Sequence, residues 1–84
     1  MADEDVAALR QLVEFLTRGL VEHPEQVCVT GTVGEGAASL RIQVAADDIG
    51  KVIGRQGRVI QAIRTVARAA AMRRGQRVTV EVLD

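Results

Sequence analysis

The stretch GKVIGRQGR, residues 50–58, concentrates glycines and cations in a short part of the chain. Three glycines and three basic residues surround the apolar pair Val52 and Ile53. Glycine has no Cβ, so the chain can turn tightly there and another backbone can approach closely. Basic side chains beside such a turn attract phosphate groups. The stretch therefore predicts a site for a phosphate-bearing ligand.

The residues around the stretch predict two helices that position it. We expect a short helix over residues 48–53, a break at 54–57 and a longer helix over 58–73, which ends at Gly75. In the longer helix, Val59, Ile60, Ile63, Val66, Ala67 and Ala70 are expected to face inward, with Arg64 and Arg68 on another face. A helix that opens at Gly57-Arg58 presents unpaired N–H groups and the positive end of its dipole.

The cations near that helix start complete the predicted site. Arg55 and Arg58 flank it, and Lys51 lies one helical turn before Arg55. Together they predict a clamp for a sugar-phosphate backbone. A plain joint between two helices with a glycine C-cap would explain Gly54, but neither Gly57 nor the cations. A P-loop and a dinucleotide fold are excluded, because the chain has no Gly-Lys-Ser/Thr triplet and no G-x-G-x-x-G.

Charge is segregated along the chain although the formal net charge is zero. Residues 1–25 hold six acids and two bases, and residues 49–77 hold eight bases and no acid. A solvated helix face usually mixes both signs, so this separation favours a polyanionic partner. Ten of the eleven bases are Arg, whose planar fork suits phosphate.

The remaining elements form the framework. Apolar spacing predicts a helix over residues 3–22, with a stripe that runs from Val6 to Leu20. Strands are predicted over 26–33 and 38–45, joined by a hairpin turn at Gly34-Glu35-Gly36, and over 77–83. The order α-β-β-α-α-β gives an α+β fold over 1–84, one domain with a three-stranded sheet packed against three helices. No apolar run has the length of a membrane span, and the acidic N-terminus differs from a signal peptide.

Catalytic and metal chemistry find little support in the sequence. His23 precedes Pro24 and is expected at the surface or as a helix cap. Cys28 lies in an apolar strand and is expected in the core, and Asp47 or Asp48 is expected to cap the short helix. No cluster has metal-ligand spacing. We therefore expect no enzyme activity, no metal and no cofactor.

The run IGKVIGRQGRVI, residues 49–60, resembles the V-I-G-x-x-G signature of the KH RNA-binding domain. The element order is similar to that of the type II, prokaryotic KH fold. More closely, the run DD-x-GKVIG-x-QG-R and the Arg/Ala-rich helix after it resemble the small stand-alone bacterial KH proteins of the KhpA type. This resemblance covers essentially the whole chain.

The resemblance implies a groove for about four single-stranded nucleotides. The G-x-x-G backbone would face phosphates, and an aliphatic floor would draw on Val52, Ile53 and Ile60, with Ile42 or Val44 from the strand. For Ile53 and Ile60 we expect core positions with partial exposure to the groove. The implied RNA-binding residues are Lys51, Val52, Ile53, Gly54, Arg55, Gln56, Gly57, Arg58, Ile60 and Arg64.

The resemblance also implies partners and a setting. It implies a cytoplasmic regulator or RNA chaperone that binds single-stranded RNA, self-associates, pairs with a larger KH-containing protein of the KhpB type, and is linked to control of the cell envelope and division. With no Trp or Tyr to stack bases, we expect modest affinity and strong salt dependence. Two alternatives stay open: a protein-docking module that uses the acidic first helix and Phe15, and a single-stranded DNA binder.

Overall fold

The computed structural model describes residues 3–83, which form three helices and a three-stranded mixed sheet. The helices are α1 (Asp3–Arg18), α2 (Ile49–Ile53) and α3 (Arg58–Arg73). The strands are β1 (Cys28–Gly34), β2 (Ala37–Gln43) and β3 (Arg77–Val82). Short 3₁₀ turns cover 24–26, 46–48 and 55–57. The predicted α+β fold and its α-β-β-α-α-β order are confirmed, and the bounds of α3 match those expected.

The sheet has the strand order β1-β2-β3. β1 and β2 form the predicted antiparallel hairpin, with Gly34 opposite Ala37. β3 runs parallel to β2 and lies at an edge of the sheet. Because an edge strand has unpaired N–H and C=O groups on its outer side, β3 offers a polar border beside the helices.

The core lies between the sheet and the helices. Leu40 and Ile42 of β2 and Val13 of α1 have no exposed surface, and Ala67 brings α3 close to the sheet. The neighbouring apolar side chains fill the same layer: Val6, Leu9, Val27, Val29, Ala38, Val52, Ile60, Ile63, Ala71, Val78 and Val80. This layer holds α2 and the start of α3 in fixed positions.

Two predictions about apolar helix residues are wrong. α1 ends at Arg18 rather than at residue 22, since the N–H of Leu20 bonds to the carbonyl of Thr17 in a tighter turn. Leu20 then lies outside the helical stripe and is 41% exposed. Val66 of α3 is 43% exposed, and the inward position near the end of the helix belongs to Ala71 instead.

Cys28 is also misplaced by the sequence. Val27 and Val29 are buried, and alternation along the strand turns Cys28 to the opposite, solvent-exposed face of the sheet. The apolar residues around Cys28 in the sequence suggested that the cysteine lies in the core. The helices, however, cover one face of the sheet only. No helix between residues 3 and 83 has the length and apolar character needed to cross a membrane.

Candidate nucleic-acid interface

The G-x-x-G turn lies between α2 and α3. Its backbone takes left-handed conformations that glycine adopts freely and other residues do not. Gly54 and Gly57 have φ of +76° and +73°. A Cβ on Gly54 would lie 2.7 Å from the Cβ of Val59 and would clash with its Cγ2 as well. Glycine is therefore required at position 54 by the protein itself, since helix α3 packs directly against it.

Gln56 is the one non-glycine residue with positive φ among those described, at φ 56° and ψ 27°. A left-handed conformation costs a residue with a Cβ roughly 1–2 kcal/mol. This conformation places Gln56 at the tip of the turn, where its side chain is exposed. The side-chain Oε1 accepts a hydrogen bond of 3.1 Å from Arg58 Nη2. The turn thus exposes Arg55, Gln56 and Arg58 together at the start of α3.

Lys51 lies on α2 beside the turn, but acids surround it. Its Nζ is 3.5 Å from Oδ1 of Asp48 and 3.7 Å from Oε1 of Glu22. The lysine side chain is 40% exposed. Its charge is therefore more strongly balanced than the sequence suggested.

Arg64 lies further along α3, about 9 Å from Arg58 along the helix axis. Its side chain is half-buried, and its Nε donates a hydrogen bond of 2.9 Å to the carbonyl of Val80. The N–H groups of Arg77 and Leu83 donate to carbonyls on the β2 side. Because the backbone groups of successive strand residues point in opposite directions, the Val80 carbonyl points away from β2, toward the outer edge of the sheet. The structure thus places Arg64 on the outer edge of β3, apart from the G-x-x-G turn.

The aliphatic residues expected on the groove floor separate into two groups. Val52 and Ile42 have no exposed surface and lie in the core. Val44 and Ile53 are partly exposed, and Ile60 keeps 6% of its surface. Because α2 is a single short helix against the sheet, its inward residue Val52 is used entirely to anchor it.

Asp48 does not cap α2 through its side chain, contrary to the expectation. Its carboxylate is fully buried and accepts hydrogen bonds from the backbone N–H groups of Glu22 (3.1 Å) and His23 (3.0 Å). Burial raises the pKa of Asp48, but these N–H groups and the nearby Lys51 lower it, and the balance leaves the pKa below its usual 3.8. Asp47, by contrast, is exposed. Sequence reasoning missed this link, because its partners lie more than twenty positions away.

An apolar cleft of about 390 Å³ lies between α1 and α3, close to the turn. Phe15, which the sequence left undecided, is 75% exposed on α1. The cleft is lined by Leu16, Leu20, Arg58, Val59, Ala62, Ile63 and Val66.

Among residues 3–83, no three His, Cys, Asp or Glu side chains gather as a metal site.

Comparison with known proteins decides the family. The model of the KhpA/KhpB KH-domain family matches residues 10–82. The chain belongs to this family. It is 44% identical to the RNA-binding protein KhpA of Clostridium perfringens and 45% identical to that of Clostridium acetobutylicum, each over 89% of this chain and the whole of the relative. The KhpA of Aquifex aeolicus is 37% identical over 94% of this chain and its own full length.

Solved structures support the fold. Era of Aquifex aeolicus bound to GDP and aluminium fluoride matches with a TM-score of 0.68 at 19% identity. Era in complex with a GTP analogue and nucleotides 1506–1542 of 16S ribosomal RNA matches with a TM-score of 0.67 at 17% identity. Each match covers 93% of this chain and only 31% of the Era chain, so the likeness concerns one part of Era and its fold alone.

Proposed function

We propose that this chain is a non-catalytic KH protein that binds single-stranded RNA through its G-x-x-G turn. The observation that carries the proposal is the turn itself: two glycines with positive φ expose Arg55, Gln56 and Arg58 where α3 begins. Backbone N–H groups at that helix start and two guanidinium groups suit successive phosphates. Relatives named RNA-binding protein KhpA, with high identity over nearly the full chain, support the same ligand.

The residues divide their roles according to their placement. Gly54 and Gly57 let the RNA backbone approach the turn, and Arg55, Gln56 and Arg58 contact phosphate oxygens. Lys51 and Arg64 add charge on either side, and Ile53 and Ile60 offer the apolar border against which a base can rest. Val52 is left out of the contacts, since it is fully buried. The chain acts as one KH domain in the bacterial cytoplasm, as a regulator or chaperone of RNA.

The experiment reverses the charge of the turn without changing the fold. Arg55→Glu with Gln56→Glu alters two exposed residues, of which Gln56 is replaced by a side chain of the same shape. A matched control exists on β2, where Arg41 and Gln43 are exposed on the bare face of the sheet. Arg41→Glu with Gln43→Glu changes the net charge by the same amount.

Binding is measured by titrating a labelled single-stranded RNA pool at two salt concentrations, with circular dichroism to check each fold. We expect wild type and the β2 control to bind the RNA, with an affinity that falls as the salt concentration rises. The turn variant is expected to bind the RNA with an affinity at least about tenfold lower than wild type. Equal binding by the turn variant and wild type would place the site elsewhere. Competition with a pool of single-stranded DNA oligonucleotides of the same length separates RNA from single-stranded DNA as the preferred ligand.

The apolar cleft between α1 and α3 favours a docking role beside RNA binding. Leu20 and Val66 line it and are exposed, and exposed apolar patches mark contact surfaces. We propose that a second KH domain covers this cleft, either in a copy of this chain or in the larger KhpB-type partner. Val66→Glu is then expected to shift the mass measured by sedimentation of this chain toward the monomer. An unchanged mass distribution would contradict association between copies of this chain through the cleft.

A further inference from the structure

We propose that β1 pairs edge to edge with β1 of a second copy of this chain, so that the sheets of the two copies become continuous. The two strands are antiparallel and are related by a two-fold axis through Gly31. The surface lies on the side of the sheet opposite β3, since the strand order is β1-β2-β3. No residue of β1 lines the apolar cleft between α1 and α3, so this surface is distinct from the cleft and from the G-x-x-G turn.

The outer edge of β1 consists of the backbone groups of Val29, Gly31 and Val33. The carbonyls of Gly36 and Ile42 accept hydrogen bonds from N–H groups at the start of β3 and just after its end. Even-numbered residues of β2 therefore point their backbone groups toward β3, and odd-numbered residues point theirs toward β1. The β1 partners of the odd-numbered residues are Cys28, Thr30, Thr32 and Gly34. The three residues between these partners point their N–H and C=O groups away from the sheet.

Nothing among residues 3–83 occupies this edge. No side chain or loop forms a hydrogen bond with the backbone groups of Val29, Gly31 or Val33. Val29 is the one buried residue among the seven of β1, so α1 leaves the outer edge uncovered. The opposite edge differs, because the Val80 carbonyl of β3 accepts a hydrogen bond of 2.9 Å from Arg64 Nε. The outer edge of β1 is therefore the open edge of the sheet.

The sequence of β1, CVTGTVG, lacks the features that usually protect an edge strand. Edge strands commonly carry charged residues, proline or a bulge, because an unpaired edge accepts a strand from another chain. β1 has no charged residue and no proline, and it pairs with β2 residue by residue without a bulge. β3, by contrast, carries Arg77 and Glu81. Two copies of β1 can therefore lie side by side without charge repulsion.

A second copy suits this edge because the outward groups are symmetric about Gly31. When Gly31 lies opposite Gly31 of the second copy, Val29 lies opposite Val33, and each outward N–H meets an outward C=O. Thr30 then lies opposite Thr32 on the uncovered face of the sheet, and paired threonines stabilise adjacent strands. Val33, which is 48% exposed, gains an apolar neighbour in Val29 of the second copy. The same strand thus supplies both sides of the pairing.

The first test measures self-association of a chain in which the cleft is blocked by Val66→Glu. Because a single pair of strands is a small interface, sedimentation is followed at protein concentrations up to about 1 mM. Adding Val33→Pro to this parent removes an outward N–H and is expected to weaken dimerisation at least about tenfold. Val33→Ala is the matched control, because it shortens the same side chain and keeps the N–H, and it should weaken dimerisation much less. Circular dichroism checks the fold of each variant.

The second test reads the register directly and needs no proline. Two chains both carry Cys28→Ser, and one also carries Thr30→Cys while the other carries Thr32→Cys. Residues that face each other in a non-hydrogen-bonded antiparallel pair have Cα atoms about 4.5 Å apart, a distance that a disulfide spans. The same residue in the two copies lies on a diagonal, about 7–8 Å apart, which is too far. Under mild oxidation, we expect a disulfide-linked dimer in the mixture and none in either chain alone.

Three results would overturn the inference, and none of them involves RNA. A folded Val66→Glu chain that stays monomeric at about 1 mM would leave the edge of β1 for an extended segment of another protein. Equal weakening by Val33→Pro and Val33→Ala would place the contact in the side chain rather than in the backbone. Absence of the cross-link from the mixture, or an equal cross-link in each chain alone, would contradict the two-fold register through Gly31.

Discussion

The carboxylate of Asp48 accepts a hydrogen bond from the backbone N–H of His23, with 3.0 Å between Oδ2 and the nitrogen. The neighbouring N–H of Glu22 donates to the other oxygen. One buried side chain thus joins the segment after α1 to the residue that precedes α2. Since α2 leads directly into the G-x-x-G turn, this link fixes the position of the proposed RNA clamp relative to the rest of the fold.

Asp48→Asn is expected to lower the thermal unfolding midpoint clearly at neutral pH. The two N–H donors need two acceptor oxygens, and an amide offers one oxygen and one further donor. The adjacent Asp47→Asn is the matched control, because Asp47 is exposed, and it is expected to leave the midpoint nearly unchanged. Thermal denaturation followed by circular dichroism measures both, and equal losses in the two variants would contradict the structural role of Asp48.

The Asp48 carboxylate also makes the free energy of unfolding depend on pH. The pKa of Asp48 is lowered in the folded state, so the ionised form is favoured by folding. Its contribution is complete above the unfolded pKa of 3.8 and is lost as the pH falls through the lower folded pKa. The difference in unfolding free energy between wild type and Asp48→Asn should shrink as the pH falls below about 4. A difference that persists unchanged into strong acid would refute this assignment.

Gly54→Ala is expected to destabilise the fold by about 2–5 kcal/mol, because backbone strain and overpacking add. Residue 54 has φ +76°, and a Cβ there would lie 2.7 Å from the Cβ of Val59 and 2.9 Å from its backbone nitrogen. Neither atom can move without displacing the start of α3. Urea unfolding gives the measurement, and a change below about 0.5 kcal/mol, the usual scatter of surface substitutions, would show that the turn can relax.

The local elements were predictable because their signals are local. The bounds of α3 follow from apolar spacing and from Gly57 and Gly75 at its ends, and the hairpin follows from two β-rich segments, the second of them alternating, around Gly34 and Gly36. The break at 54–57 needs only its glycines. In each case, the residues that decide the structure lie within a few positions of each other.

The errors arise where distant packing decides. Asp48 looked like a cap, since its partners Glu22 and His23 come near only in the folded chain. Cys28 and Val66 have the right residue type for a core, but the helices cover one face of the sheet and α1 leaves part of α3 open. Val52 belongs to the recognised signature, yet the short helix α2 needs it as its buried anchor.

Gly50→Ala is expected to separate stability from RNA binding. Gly50 has an ordinary helical backbone, and an added Cβ would meet no atom within 4 Å, so nothing inside the protein requires glycine there. Alanine should therefore raise stability by about 0.5–1 kcal/mol, as in other helices. If the RNA backbone rests on α2 beside the turn, the added methyl group stands in its way and weakens binding by several-fold. Gly19→Ala, at the end of α1, is the matched control, because a Cβ there makes only ordinary contacts. Urea unfolding and RNA titration on both variants give the answer, and unchanged affinity in Gly50→Ala would confine the clamp to residues 54–58.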